Sequence, residues 1–280
     1  MTHECEFCQA LHFADERSGN SIEFESCCKK GDAELAPLQP PPPFIQSLLT
    51  DQNARAKAFR NHIRQYNSAL AFTSVSFTKD PRLHLRSDVR YFQIHGELFH
   101  WQGPLQPGSQ ELPRFAQLFF YDPDYVTNAR MQQFSNGQGP FDREILLELH
   151  YILNSINPFV HLYKTAKERI DTAPQDKSLQ VLLSPQMRLV METSADRRQE
   201  NLPTANELAA IIPDEYGQGS FRDIVLEIRN PIRNGPKLSR ISATHAAYMP
   251  LHYVLLFPYG DLGWHWGLDL QESNKPREDL

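Results

Sequence analysis

Apolar residues first return at helical spacing at Phe59, Ile63, Tyr66 and Leu70, which predicts one amphipathic helix over about 51–67 with Thr50 as its cap. Lys57, Arg60, Arg64 and Asn67 fall roughly a quarter-turn from that stripe and form a basic face. The next segment, "ALAFTSVSF" (69–77), reads as a strand. In "RYFQIHGELFHWQG" (90–103), two short apolar runs flank His95–Gly96 and predict a β-hairpin. "FAQLFFYD" (115–122) is apolar over too short a run for a helix and reads as a buried strand.

The clearest helix is "FDREILLELHYILNSI" (141–156), whose Ile145, Leu146, Leu149, Ile152, Leu153 and Ile156 share one face. Asn157 and Pro158 end it and open another, with the asparagine as cap and the proline at the first helical position. "SLQVLLS" (178–184) and "MRLVM" (187–191) form a strand pair about Pro185. "TANELAAII" (204–212) carries a capping box, Thr204 with Glu207. The strands "RDIVLEIR" (222–229), "SRISAT" (239–244) and "YVLLF" (253–257) complete the pattern. The sum is an α+β fold: a small N-terminal Cys-rich, zinc-ribbon-like unit, then a mixed, mostly antiparallel sheet domain with several helices.

Four consecutive prolines in "APLQPPPPF" (36–44) make a stiff extended spacer. The expected organisation is a Cys-rich unit at 1–36, a Pro-rich linker at 37–50, an α+β domain at 51–266 and a disordered tail at 267–280.

Charge adds a local feature. The net charge of −6 carries no global signature of nucleic-acid binding. Residues 1–50 hold eight acids and three bases, whereas 51–90 hold eight bases and three acids. Arg55, Lys57, Arg60, Arg64, Arg82, Arg86 and Arg90 belong to that basic block and are the candidate DNA-contacting residues; a local block can bind an anion despite an acidic average. The plainer reading is a solvated helix face. Tyr91, Phe92, Phe99, His100 and Trp101 lie beside the block and either stack single-stranded bases or fill the core of a sheet.

The four cysteines all lie near the N-terminus. Cys5-x2-Cys8 is a knuckle that presents two thiolates to zinc. The second pair, Cys27–Cys28, is adjacent, and adjacent side chains tend to point apart. The expected ligand set is therefore Cys5, Cys8, one of Cys27 and Cys28, and His12, with His3 as the substitute nitrogen. A zinc ion and a small core of reduced cysteines both account for these residues.

Other chemistry is missing from the sequence. It contains no Gly-x4-Gly-Lys-Ser/Thr phosphate loop, no Gly-x-Gly-x-x-Gly or Gly-x-Ser-x-Gly element, and no His-x-His metal pair. His265 between Trp264 and Trp266 reads as a packed loop histidine, and Asp122/Asp124 and Asp214/Glu215 read as turn residues. The expectation is a non-enzyme. No segment resembles a signal peptide or membrane span, and no Asn-x-Ser/Thr acceptor occurs, so an intracellular location with no membrane partner is expected.

Six strings occur in order: "CEFC…SCCKKGDAELAPLQPPPP", "FRNHIRQYNSALAFTS", "FQIHGELFHWQGPLQPGSQELPRFAQLFFYD", "NLPTANELAAII", "RDIVLEIR" and "PLHYVLLFPYGDLGWH". From about residue 5 to 266 the chain resembles the N-terminal region of Helitron transposases, rolling-circle mobile-element proteins also described as helicase-like. The resemblance implies a zinc-finger-like segment at Cys5, Cys8, Cys27 and Cys28, with the adjacent pair part of the family pattern. It also implies a nuclear location, DNA as a partner (single-stranded DNA included), and neighbouring nuclease and helicase domains. The family's relaxase and helicase motifs lie downstream of the matching stretch, so no catalytic residue transfers onto this chain. The expected role is a non-catalytic DNA-binding module. The alternative is a truncated, decayed or domesticated fragment that binds protein and not DNA.

Overall fold

The computed structural model describes residues 3–17, 24–33, 38–79, 94–108, 111–135, 141–173, 179–184, 189–193, 224–229 and 239–263. The chain divides into two compact units, one containing Met1–Pro40 and the other Pro41–Gly263.

In the first unit, β1 (His3–Glu4) pairs with β2 (Leu11–His12) antiparallel, with His3 opposite His12. The apolar interior described there is small: Cys5, Phe24 and Cys28, with Cys8 and Cys27 partly buried against them.

In the second unit, the proline run ends at once in helix α1 (Pro43–Thr50), with Pro43 at the first helical position, so the expected linker over 37–50 is half helix. Thr50 closes α1 and its hydroxyl donates back to the Gln46 carbonyl at 2.9 Å. The expected single helix is two: α2 (Ala54–Asn61) and α3 (Ile63–Leu70), parted at His62. The cap is Asn53, whose side chain accepts from the Ala56 N–H at 2.8 Å. The apolar stripe continues across the break, since Phe59, Tyr66 and Leu70 are buried and Ile63 packs against the core. Periodicity therefore gave no sign of it.

Strand β3 (Ser74–Lys79) begins later than the sequence suggests, because Ala69 and Leu70 still belong to α3. In place of the expected hairpin, β4 (Ile94–Gln102) is one continuous strand. Ser76 pairs with Phe99 and Thr78 with His95, so four positions on β4 span two on β3. His95–Gly96 marks this bulge and not a turn, and glycine suits both. The run 115–122 is not a strand but a 3-10 helix, Phe115–Phe120. Gln117 fixes it: its carbonyl oxygen accepts from the Arg114 N–H at 2.8 Å and its amide donates to the Pro104 carbonyl at 2.7 Å.

Helices α4 (Pro123–Ser135), α5 (Arg143–Ile156) and α6 (Pro158–Thr172) follow. Asn157 and Pro158 take the expected cap and first-turn places of α6. Leu146, Leu149 and Leu153 of α5 and Val160 and Tyr163 of α6 are buried in the main core. Phe72 joins them, stacked 4.8 Å from Phe119 and 5.2 Å from Tyr163.

Strands β5 (Leu179–Leu183) and β6 (Leu189–Thr193) form the expected pair, and β7 (Ile224–Arg229) flanks β5 on the other side. β8 (Ser239–Ile241) pairs with β4 and is shorter than expected. Every described pairing is antiparallel. The architecture is α+β. Residues 253–257 form turns and not a strand: the Tyr253 N–H bonds to the Met249 carbonyl at 2.8 Å and the Phe257 N–H to the Tyr253 carbonyl at 3.0 Å. Asn67 supplies the partner a strand would have had, donating to the His252 carbonyl and accepting from the Leu255 N–H. The capping box at 204–212 and the tail at 267–280 lie outside the described residues.

Candidate metal centre

Two knuckles build the site. In the first, the Gln9 N–H bonds to the Cys5 carbonyl and the Cys5 N–H to the Ala10 carbonyl, each at 2.9 Å, and Gln9 takes a positive φ of 60°. This folds Cys5 and Cys8 onto one side of a tight loop. The second knuckle turns through Lys29 (φ 55°), Lys30 (φ 58°) and Gly31 (φ 89°). Its Gly31 N–H points at the Cys28 sulfur, 3.3 Å away.

Both members of the adjacent pair enter the site, contrary to the expectation that one would be excluded. Residues 26–32 form successive turns. In a turn, neighbouring side chains diverge by about 100° and not the 180° of a strand, so both can face one point. The Cys27 and Cys28 sulfurs lie 3.8 Å apart, and Cys5 and Cys28 3.7 Å. All four ligand atoms fall within 4.8 Å of one another. A tetrahedral ion with metal–sulfur bonds of about 2.3 Å requires sulfur–sulfur edges of about 3.8 Å. A disulfide requires about 2.05 Å. The four cysteines are therefore grouped closely enough to hold a metal ion, and the 3.7 and 3.8 Å separations match the edges of such a site.

His12 is not a member. Its Nδ1 sits 2.6 Å from the Glu16 carboxylate and its ring stacks on Phe24 with centroids 4.0 Å apart. It supports the site through Phe24, which packs against the sulfurs. His3 pairs across the strand and takes a contact from Arg17 at 3.1 Å. Phe24 and Gly31 escaped the sequence reading, although a glycine three residues after a cysteine is a recognisable knuckle signal.

The thiols influence one another. Burial raises Cys5, but the backbone N–H groups of Cys8 and Phe7 and the neighbouring thiols outweigh it and bring Cys5 down to about 7. Burial, reinforced by Cys8 and Cys5, pushes Cys27 up to about 12. Cys28 is raised as well, again first by burial. Four sulfurs this close cannot all ionise without a cation between them.

Two of the basic residues are engaged within the fold. Arg55 forks onto Asp142 at 2.8 and 3.1 Å and reaches Glu144 at 3.1 Å. Asp142 is itself the N-cap of α5, so Arg55 is bound into the fold. Arg60 donates to the Leu48 and Asp51 carbonyls at 2.9 and 2.8 Å and so closes the C-terminus of α1. Lys57 and Arg64 are exposed, with no ion pair among the described residues. Arg82, Arg86 and Arg90, like Tyr91, Phe92 and His265, lie outside the described residues. His100 is buried and Phe99 carries the Arg240 guanidinium 3.9 Å above its ring, so these two rings belong to packing.

Among the described residues, no helix is long and apolar enough to cross a membrane. Comparison of the chain with family models, with curated proteins and with solved structures finds no match.

Proposed function

We propose that the chain is a non-catalytic accessory module of the Helitron transposase type, whose N-terminal unit is folded by one zinc ion on Cys5, Cys8, Cys27 and Cys28. The observation that carries this reading is the convergence of four sulfurs in a unit whose described interior is otherwise one phenylalanine ring. So little apolar burial does not hold a segment of about forty residues together, and a structural metal supplies the missing free energy. All-sulfur ligation favours zinc over magnesium or calcium, and a closed four-ligand set leaves no open position for catalysis. The six family-like strings, running in order along both units, support the transposase assignment.

Among the described candidates, DNA contact in a nuclear setting falls to Lys57 and Arg64, since Arg55 and Arg60 are engaged internally; Arg82, Arg86 and Arg90 are the further candidates, and each that contributes steepens the salt slope. Two phosphate contacts predict a log–log salt slope near about −1.8 on duplex and about −1.4 on single strands. A fluorescence anisotropy titration of the zinc-loaded chain across a salt series tests this; no binding at any salt concentration would remove DNA as the partner, and binding unchanged in the Lys57→Gln, Arg64→Gln double variant would reduce these two residues to a solvated face. The engagement of Arg55 and Arg60 favours a second reading, in which the module meets protein and not DNA. The absence of a phosphate loop and of a His-x-His pair supports the prediction of no ATP hydrolysis and no strand nicking.

A further inference from the structure

We infer that the groove beside the outer edge of β3 is a docking site for an extended peptide strand carrying apolar side chains and a carboxylate. The inference stands apart from the zinc reading and deepens the second reading above, in which the module meets protein and not DNA, by giving Arg64 to a peptide carboxylate.

β3 is an end strand: the sheet runs β3–β4–β8, and no strand pairs with its other side among the described residues. An end strand turns every second N–H and C=O outward, which offers an incoming chain a ready ladder. The protein covers this edge at Thr73, whose carbonyl takes the His252 Nδ1 at 3.1 Å. At Ser74 and Val75 the strand borders a groove of about 610 Å³, within the range of about 300–1,000 Å³ usual for binding clefts. Leu49, Ile63, Val75, Phe115 and Leu256 make its wall apolar. Leu256 is 62% exposed and Leu49 38%, which leaves apolar surface of the cleft in water.

Charge selects the occupant. Arg64 lines the groove and is exposed, and among the described residues it has no ion pair and no acid lines the groove. A strand with alternating apolar residues and one Asp or Glu therefore matches the ladder, the wall and the cation together. Nucleic acid matches less well, because one cation in an apolar cleft neutralises little phosphate.

The test is selection of a random nonapeptide display library on the full chain, followed by anisotropy with the enriched peptides. Enriched sequences should alternate apolar residues and carry a carboxylate. Their affinity should fall about tenfold or more for Leu256→Asp and for Arg64→Glu, and a central proline in the peptide should abolish binding. Both substitutions fall on exposed side chains, and an unchanged circular dichroism spectrum confirms that each variant is folded. Failure to enrich, or equal binding by the Leu256→Asp chain, would overturn the assignment. So would displacement of the peptide by a DNA duplex, which would give Arg64 to nucleic acid, or a parent dimer dispersed by Leu256→Asp, which would make a second copy the occupant. Zinc content measured on the same preparation keeps failure of the metal reading a separate result.

Discussion

The sulfurs of Cys27 and Cys28, adjacent in sequence, lie 3.8 Å apart and converge with those of Cys5 and Cys8. Each should be indispensable. Cys27→Ser and Cys28→Ser are both expected to lose tight metal binding, whereas His12→Ala should retain it, because His12 lies outside the group of four sulfurs. Cobalt substitution checks this, since the thiolate-to-metal absorption reports the number of sulfurs bound. A variant chain that keeps full absorption without Cys27 would restore the expectation of a histidine ligand.

Gly31 should tolerate no side chain. At φ +89° an added Cβ would also come within 2.7 Å of the Phe7 ring. Gly31→Ala is expected to weaken metal retention in competition with a chelator, with a cost of about 1–2 kcal/mol from the left-handed backbone alone. Equal chelator resistance would mean that the second knuckle is not rigid.

Stability should fall as the solution is acidified below about pH 6.5. Burial, then Arg130 and Lys164, brings His150 down to about 3; burial, then His252, brings His100 down to about 4. Both rings stay neutral in the fold but take up protons in the unfolded chain near the ordinary value of about 6.5. The unfolded state thus binds more protons between about pH 6.5 and 4, and stability declines through that window by about 1.4 kcal/mol per pH unit for each ring. His150→Asn keeps an acceptor for Arg130 and should remove one proton's share of the slope. Urea unfolding at a series of pH values measures it, and an unchanged slope would contradict the burial of a neutral His150.

Arg130 should be replaced by a long hydrophobe at less cost than by alanine. It is fully buried, it donates to the Ala69 carbonyl and to His150 Nδ1 at 2.9 Å each, and its Nη2 has no hydrogen-bond partner among the described residues. Burial brings its pKa down to about 9. Arg130→Ala leaves a cavity and two orphaned acceptors, with an expected loss of about 3 kcal/mol or more. Arg130→Met orphans the same two acceptors but fills the space without a buried charge, so a loss smaller than that of alanine by the cavity's share, about 1–2 kcal/mol, is expected. Comparison of the two denaturation midpoints decides the point; equal losses would show that the guanidinium, and not its volume, matters.

The helices were legible where one apolar face packs against the core, as with Leu146, Leu149 and Leu153, and where a cap is written in side chains, as at Asn157–Pro158. Breaks that preserve the period were not legible: His62 parts two helices without disturbing the spacing of Phe59 and Tyr66. Short apolar runs misled for the same reason, since 115–120 and 253–257 are buried or bonded through single side chains, Gln117 and Asn67, that local propensity does not weigh. For the site, cysteine spacing located the unit, but a strand-like assumption about neighbours wrongly set Cys27 against Cys28. The basic block is depleted because Asp142 claims Arg55 and the carbonyls at Leu48 and Asp51 claim Arg60, partners distant or featureless in sequence, while Lys57 and Arg64 of the stripe stay exposed.

The most direct test of the metal clip is thiol titration of the reduced, freshly purified chain with a mercurial reagent while released zinc is read by a chromogenic chelator. The account predicts one zinc ion per chain, released only as all four thiols react, together with loss of ordered signals from the N-terminal unit. Four thiols that react freely with no zinc released, from a chain whose N-terminal unit stays folded, would contradict it.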